Sequence, residues 1–172
     1  GVYSHTGSNS LYFNKDNAVM VSFREVTGLP NITCHFEDVQ ETVLKIVFGH
    51  EDEQQISRLA ELLNNHPKAK YFDFIRSEKT LYEILPKGVS KGVALQKMAD
   101  LLGIGICNTI AVGDFNNDVS MVKAAGIGFA VENAVDEVKA VADYITVSNN
   151  RHAISAIIEG LDTGAYLLKS DI

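Results

Sequence analysis

The chain has 172 residues, a formal net charge of -7 and a pI near 5.2, with 46% hydrophobic and 22% charged residues. That composition belongs to a globular chain able to bury a core. An acidic balance without a Lys/Arg cluster argues against nucleic acid or an anionic membrane as partner. No apolar run approaches the ~18 residues of a membrane span. The opening residues carry no signal-peptide pattern, and His5 breaks the myristoylation pattern. Cys34 and Cys107 lack metal-ligand spacing and do not suggest a disulfide framework. Each is expected as a small buried hydrophobe in a reducing cytoplasm.

The first half is rich in short β-type runs. Residues 18–23 are apolar and partly β-branched and predict a strand, and residues 42–48 predict a stronger one. Gly28-Leu29-Pro30-Asn31 reads as a loop between them. Residues 52–65 predict a helix whose apolar stripe is Ile56, Leu59, Ala60, Leu62 and Leu63. The acidic Glu51, Asp52 and Glu53 suit the positive end of its dipole. Strands are predicted at 70–75 and 81–85, so residues 1–82 read as an α+β unit.

The rhythm changes near Pro86-Lys87-Gly88. The pattern predicts a helix over 89–102, a strand over 109–112, a polar turn at 113–117 and a helix over 118–125. A strand follows at 127–131, then a helix capped by Asn133 and reaching about residue 141, a strand at 144–147 and a helix over 151–159. Short, nearly all-apolar strands alternating with helices imply an α/β unit with a parallel sheet covered on both faces. Such sheets bind ligands beyond the carboxyl ends of their strands. The tail from Leu161 is expected to be partly loose.

The turn Gly113-Asp114-Phe115-Asn116-Asn117-Asp118 is therefore the first candidate site. Two carboxylates and two amides off one strand end suit Mg²⁺, which takes one or two carboxylates and fills its shell with water and phosphate oxygen. The competing reading is a polar turn with Asp118 as a helix cap. Ser90-Lys91-Gly92 opens a helix upstream, where the dipole disfavours a lysine. An anion nearby would offset this, and a phosphate held by lysine and helix-end N–H groups would serve. The plain alternative is a solvated surface lysine.

Taken together, two runs resemble the haloacid dehalogenase superfamily, and within it the Cof-type phosphatases. The first is Tyr82-Glu83-Ile84-Leu85-Pro86-Lys87-Gly88-Val89-Ser90-Lys91-Gly92. The second is Ala111-Val112-Gly113-Asp114-Phe115-Asn116-Asn117-Asp118-Val119-Ser120-Met121. Ala124-Ala125-Gly126-Ile127-Gly128 and Ala130-Val131-Glu132-Asn133-Ala134 extend the likeness, as does the run from Val138 to Thr146. It is dense from about residue 82 to 159, while the first eighty residues resemble that branch's α+β cap in texture only.

The resemblance implies a partial Rossmann-like core over 83–172 beneath an incomplete cap over 1–82. It implies a Mg²⁺-dependent phosphatase of small phosphorylated metabolites. Lys91 and Asp118 match catalytic residues, Lys91 and Asn117 match phosphate contacts, and Asp114 and Asp118 match the metal site. The family's nucleophile is the first aspartate of an Asp-x-Asp-x-Thr/Val run, and no such run occurs in this chain. The Ser/Thr motif that precedes the cap in the family is also missing. The expectation is therefore an inactive fragment that begins inside the cap, with self-association through the core edge it leaves exposed. The alternatives are a noncatalytic Mg²⁺- or phosphate-binding module or a partner-docking half of a split protein. The phosphorylation domain of a P-type ATPase shares Gly-Asp-x-x-Asn-Asp, but its Asp-Lys-Thr-Gly-Thr run and membrane segments are missing. At Ser148-Asn149-Asn150-Arg151-His152-Ala153 the family often has an acidic residue and Gly-Val. His152 is expected in a surface or capping role, and His5, His35, His50 and His66 receive no assignment.

Overall fold

The computed structural model describes residues 2–6 and 10–166. They form two compact units, Gly1–Gly88 and Val89–Ile172. Among the described residues no helix is long and apolar enough to cross a membrane.

The first unit is a six-stranded sheet with two helices. Its strands are β1 (Val2–Thr6), β2 (Leu11–Phe13), β3 (Asn31–Thr33), β4 (Lys45–Gly49), β5 (Phe72–Glu78) and β6 (Leu81–Pro86). They lie in the order β3-β2-β1-β4-β6-β5, antiparallel throughout except for the β2–β3 pair. The helices are α1 (Ala18–Thr27) and α2 (Glu53–Asn64).

Helix α1 overturns the strand expected at 18–23. The Asn17 side chain accepts a hydrogen bond from Met20 N at 3.0 Å, and Gly28 takes the left-handed conformation (φ 64°) that closes the helix. Cap and stop together define a helix despite the β-branched residues. Met20 and Arg24, one turn apart, are both buried. Met20 packs with Val47 and Leu81, and Arg24 lies 3.9 Å over the Phe13 ring while pairing with Asp16. Helix α2 lies where expected, with the Asp52 carboxylate accepting from Gln54 N at 2.8 Å. Ile56 anchors it, whereas Leu62, read as part of the apolar stripe, is exposed.

The second unit is the α/β part. Its strands β7 (Ile110–Gly113), β8 (Ile127–Val131) and β9 (Tyr144–Thr146) form a parallel sheet in the order β7-β8-β9. Helices α3 (Lys91–Leu102), α4 (Val119–Ala124), α5 (Asp136–Lys139) and α6 (Ala153–Asp162) complete it. All five residues of β8 are buried, which is why this strand reads as continuously apolar. Val122, Ala130, Val131, Val138 and Ala153 form one core cluster, and Ile127, Phe129 and Ile157 another.

Two expectations for this unit are corrected. Asn133 caps no helix: α5 starts at Asp136, and the Asn133 side chain accepts instead from Ser148 Oγ at 3.0 Å and Asn149 N at 3.1 Å. The tail from Leu161 is not loose as far as it is described, because α6 runs to Asp162 and the Tyr166 ring meets Phe129 edge-on at 4.8 Å. Residues 167–172 lie outside the described residues. Neither cysteine is a buried hydrophobe. Cys34 is half-buried and Cys107 exposed, on the 3-10 turn Ile106–Asn108, and both are free thiols.

Candidate active site

The site is assembled from two elements of the second unit. Strand β7 ends at Gly113 and delivers Asp114 to the carboxyl edge of the sheet. A 3-10 turn, Asn116–Asp118, then folds the chain back and leads directly into α4. Gly113 is required there for space: a Cβ at this position would lie 2.4 Å from Asp118 Cβ. Helix α3 supplies Lys91 from its first turn. Ser90 caps it by accepting from Val93 N at 3.2 Å.

Asp118 is the hub. It is 4% exposed, yet both carboxylate oxygens are engaged. Oδ1 receives the Lys91 ammonium in an ion pair. Oδ2 accepts from Asp114 N at 3.0 Å and from Phe115 N at 3.4 Å. Burial pushes the Asp118 carboxyl upward, but the Lys91 and backbone hydrogen bonds outweigh it and hold the group below the usual aspartate range. The carboxylate thus stays charged and clamps the start of its own loop. Asp118 stands at the N-cap position of α4 but its side chain makes no capping bond to that helix; the carboxylate bonds back to its own turn instead.

Asp114 behaves oppositely. Partial desolvation raises its pKa, and the neighbouring Asp118 charge raises it further. A residue whose carboxylate is disfavoured by a like charge gains most from a cation. Asp114 and Asp118 line a cleft of about 490 Å³, together with Asn149, His152 and Ser155 from the β9–α6 side. Lys91 reaches this arrangement through Asp118 and is not among the lining residues, and Asn117 sits half-buried on the turn outside the lining. The structure therefore joins Lys91 to Asp118 and Asp118 to the Asp114 backbone, while Asn117 shares only their turn.

Sequence reasoning passed over Asn149 and Ser155 and placed His152 on the surface or as a cap. His152 does lie at the N-cap position of α6, but its side chain makes no capping hydrogen bond. It lines the cleft instead. The signal available was the run 148–151 of turn-forming residues ahead of an apolar helix, which brings a loop to the same edge of the sheet as the Asp114 turn.

In open α/β sheets ligands bind beyond the carboxyl ends of the strands, which is where the Asp114 turn and Asp118 lie. The family model for haloacid dehalogenase-like hydrolases matches residues 2–158, and the chain belongs to that family. It is 34% identical over 149 residues to the 5-amino-6-(5-phospho-D-ribitylamino)uracil phosphatase YwtE of Bacillus subtilis, covering 86% of this chain and 51% of that protein. It is 37% identical over 93 residues to the phosphatase YwpJ of the same organism, covering 54% of this chain and 33% of that protein. The solved structure of a haloacid dehalogenase-like hydrolase from B. subtilis superimposes with a TM-score of 0.79 at 23% identity, over 93% of this chain and 65% of the other. That likeness carries the fold. The chain spans about half the length of YwtE.

Proposed function

We propose that this chain supplies the cation- and phosphate-holding part of a Mg²⁺-dependent phosphohydrolase acting on small phosphorylated metabolites. The second unit is its Rossmann-like core portion and the first an α+β cap that selects the substrate. The observation that carries the reading is the arrangement around Asp118, a buried carboxylate that ties Lys91 to the Asp114 loop. The phosphatase names of YwtE and YwpJ support the substrate class.

The residues fit Mg²⁺. Among the described residues no three His, Cys, Asp or Glu side chains converge as a ready-made cage, which argues against a closed structural zinc site. Mg²⁺ needs only one or two carboxylates and keeps water and phosphate oxygen in its remaining positions. Asp114 is the residue to hold it directly, with Asp118 as the supporting carboxylate. The cation would neutralise charge on a bound phosphoryl group.

The chain's own residues do the rest. Lys91 presents an ammonium to the phosphate oxygens, Asp118 holds that ammonium and the loop in place, and Asn117 adds an amide donor from the same turn. Phosphoryl transfer asks mainly for this kind of positioning and charge neutralisation. It also needs an attacking group, and without an Asp-x-Asp run the covalent step has none in this chain. The chain alone therefore binds without turnover. Free thiols at Cys34 and Cys107 agree with a reducing cytoplasm as its compartment.

Calorimetric titration of the pure chain with Mg²⁺ and inorganic phosphate, beside a p-nitrophenyl phosphate assay, tests the proposal. The expected result is phosphate binding that requires Mg²⁺ and is lost in Asp114→Asn, with no hydrolysis. Binding untouched by Asp114→Asn, or Mg²⁺-dependent turnover by the chain itself, would overturn it.

A further inference from the structure

One residue of the cleft departs from ordinary backbone geometry. His152 has φ 54° and ψ 49° and is the only non-glycine residue with positive φ among the described residues. Few non-glycine residues occupy this left-handed region, though histidine is among those that do so more often, and such conformations gather at functional sites. The usual local justification fails, since the imidazole accepts nothing from the first turn of α6. Burial does not explain it either, because the residue is exposed.

Hydrogen bonds hold this residue in place relative to the carboxylates. Val135 N donates to the Asp114 carbonyl at 2.9 Å. Two residues earlier, the Asn133 side chain accepts from Ser148 Oγ and Asn149 N. Arg151 N closes the turn onto Ser148 O at 2.8 Å, and the Arg151 guanidinium pairs with Glu132 at 2.5 Å. The loop after β7, the loop after β8 and the turn before α6 are thus bonded in series, with Asp114 at one end and His152 at the other. Among the residues lining the cleft, Asn149, His152 and Ser155 carry the side-chain donors, all on the turn before α6 and the start of that helix, and His152 is the one with an imidazole. The charged lining groups are Asp114 and Asp118, which disfavour an oxyanion unless donors on the facing turn offset them.

We propose that His152 is a phosphate-contacting residue of this cleft, its imidazole N–H donating to an oxygen of the bound oxyanion. This rests on the Mg²⁺- and phosphate-binding reading above. A hydrogen bond to a charged acceptor corresponds to roughly a tenfold or larger change in affinity.

The test uses the 172-residue chain, saturating Mg²⁺ and inorganic phosphate as the titrant, with a thermal melt of each variant. His152→Gly is suited to the left-handed backbone and should melt at or above the parent's temperature while binding phosphate about tenfold more weakly. His152→Asn keeps an N–H donor on a residue that tolerates this backbone, and should recover most of the affinity. A purely structural role predicts neither the split between stability and affinity nor the rescue. His152→Gly binding within twofold of the parent overturns the proposal, as does His152→Asn binding no better than His152→Gly. Failure of the parent to bind phosphate at all would remove the underlying reading and this one with it, and that outcome is recognised in the parent before any variant is made.

Discussion

Gly92→Ala tests how tightly α3 must approach α4 for Lys91 to reach Asp118. A Cβ at position 92 would lie 2.5 Å from the Ser120 carbonyl oxygen, 2.7 Å from its carbon and 3.0 Å from Ser120 Cβ. Ordinary contact begins near 3.4 Å, so the two helices would have to part by roughly 0.9 Å. The obstacle is backbone and cannot rotate away. The same movement stretches the 3.1 Å hydrogen bond from Gly92 N to Ser120 Oγ. Alanine would otherwise favour the helix by about 0.5–1 kcal/mol, while overpacking of this kind costs about 1–3 kcal/mol. The net expectation is a loss of about 1–2 kcal/mol, with weaker phosphate binding because Lys91 is the adjacent residue. Urea unfolding followed by circular dichroism reads the first effect and calorimetry the second. Gly105→Ala is the control: its nearest obstacle is the Cys107 sulfur at 3.3 Å, and a change within about 0.5 kcal/mol is expected. A Gly92→Ala chain as stable as the parent, or more so, would refute the close-approach argument.

Three further outcomes are expected. Asp118→Asn should destabilise the second unit by about 1–2 kcal/mol in urea; this is below the cost of splitting a fully buried pair because the Lys91 side chain is 48% exposed. The variant should also lower the Asp114 pKa by removing the adjacent charge, which an NMR titration of the Asp114 carboxyl would follow. Asp16 is held below the usual aspartate range chiefly by its hydrogen bond from Arg24. Its depressed pKa means that its stabilisation is complete above the unfolded-state value of about 3.9. That contribution is lost as pH falls through the folded value, so Asp16→Asn should flatten the acid limb of a melting-temperature profile and leave its slope near neutrality unchanged. Finally, β7 is an outer strand of its sheet among the described residues, and Leu101, Leu102 and Ile110 are 81%, 62% and 40% exposed. Self-association through this edge is expected, and a monomer by light scattering at high concentration would count against it.

The second unit was legible because its chemistry is local in sequence. A fully apolar β8, a strand ending at Gly113 and carboxylates at 114 and 118 announce a sheet edge with a polar turn before any contact is known. The Lys91–Asp118 pair spans 27 positions, but each partner sits at a helix or turn start that can be recognised on its own. The first unit was less legible where propensity and capping disagreed. Residues 18–23 look strand-like by side chain, while Asn17 and Gly28, which decide the matter, lie outside that window. Asn133 looked like a helix cap because its type suits one, and only the long-range bonds to Ser148 and Asn149 reveal its use. The backbone of His152 and the exposure of Cys107 depend on how loops meet in space, and no nearby residue encodes them.

The two backbone bonds that Asp118 receives have a kinetic and thermodynamic meaning for any cation that arrives. The loop bearing Asp114 is already immobilised by its neighbour, so little conformational freedom remains to be surrendered on ligation. Capture should then be governed by the stripping of water from the ion, with the polypeptide behaving as a preset mould and not as a strand that wraps around its guest.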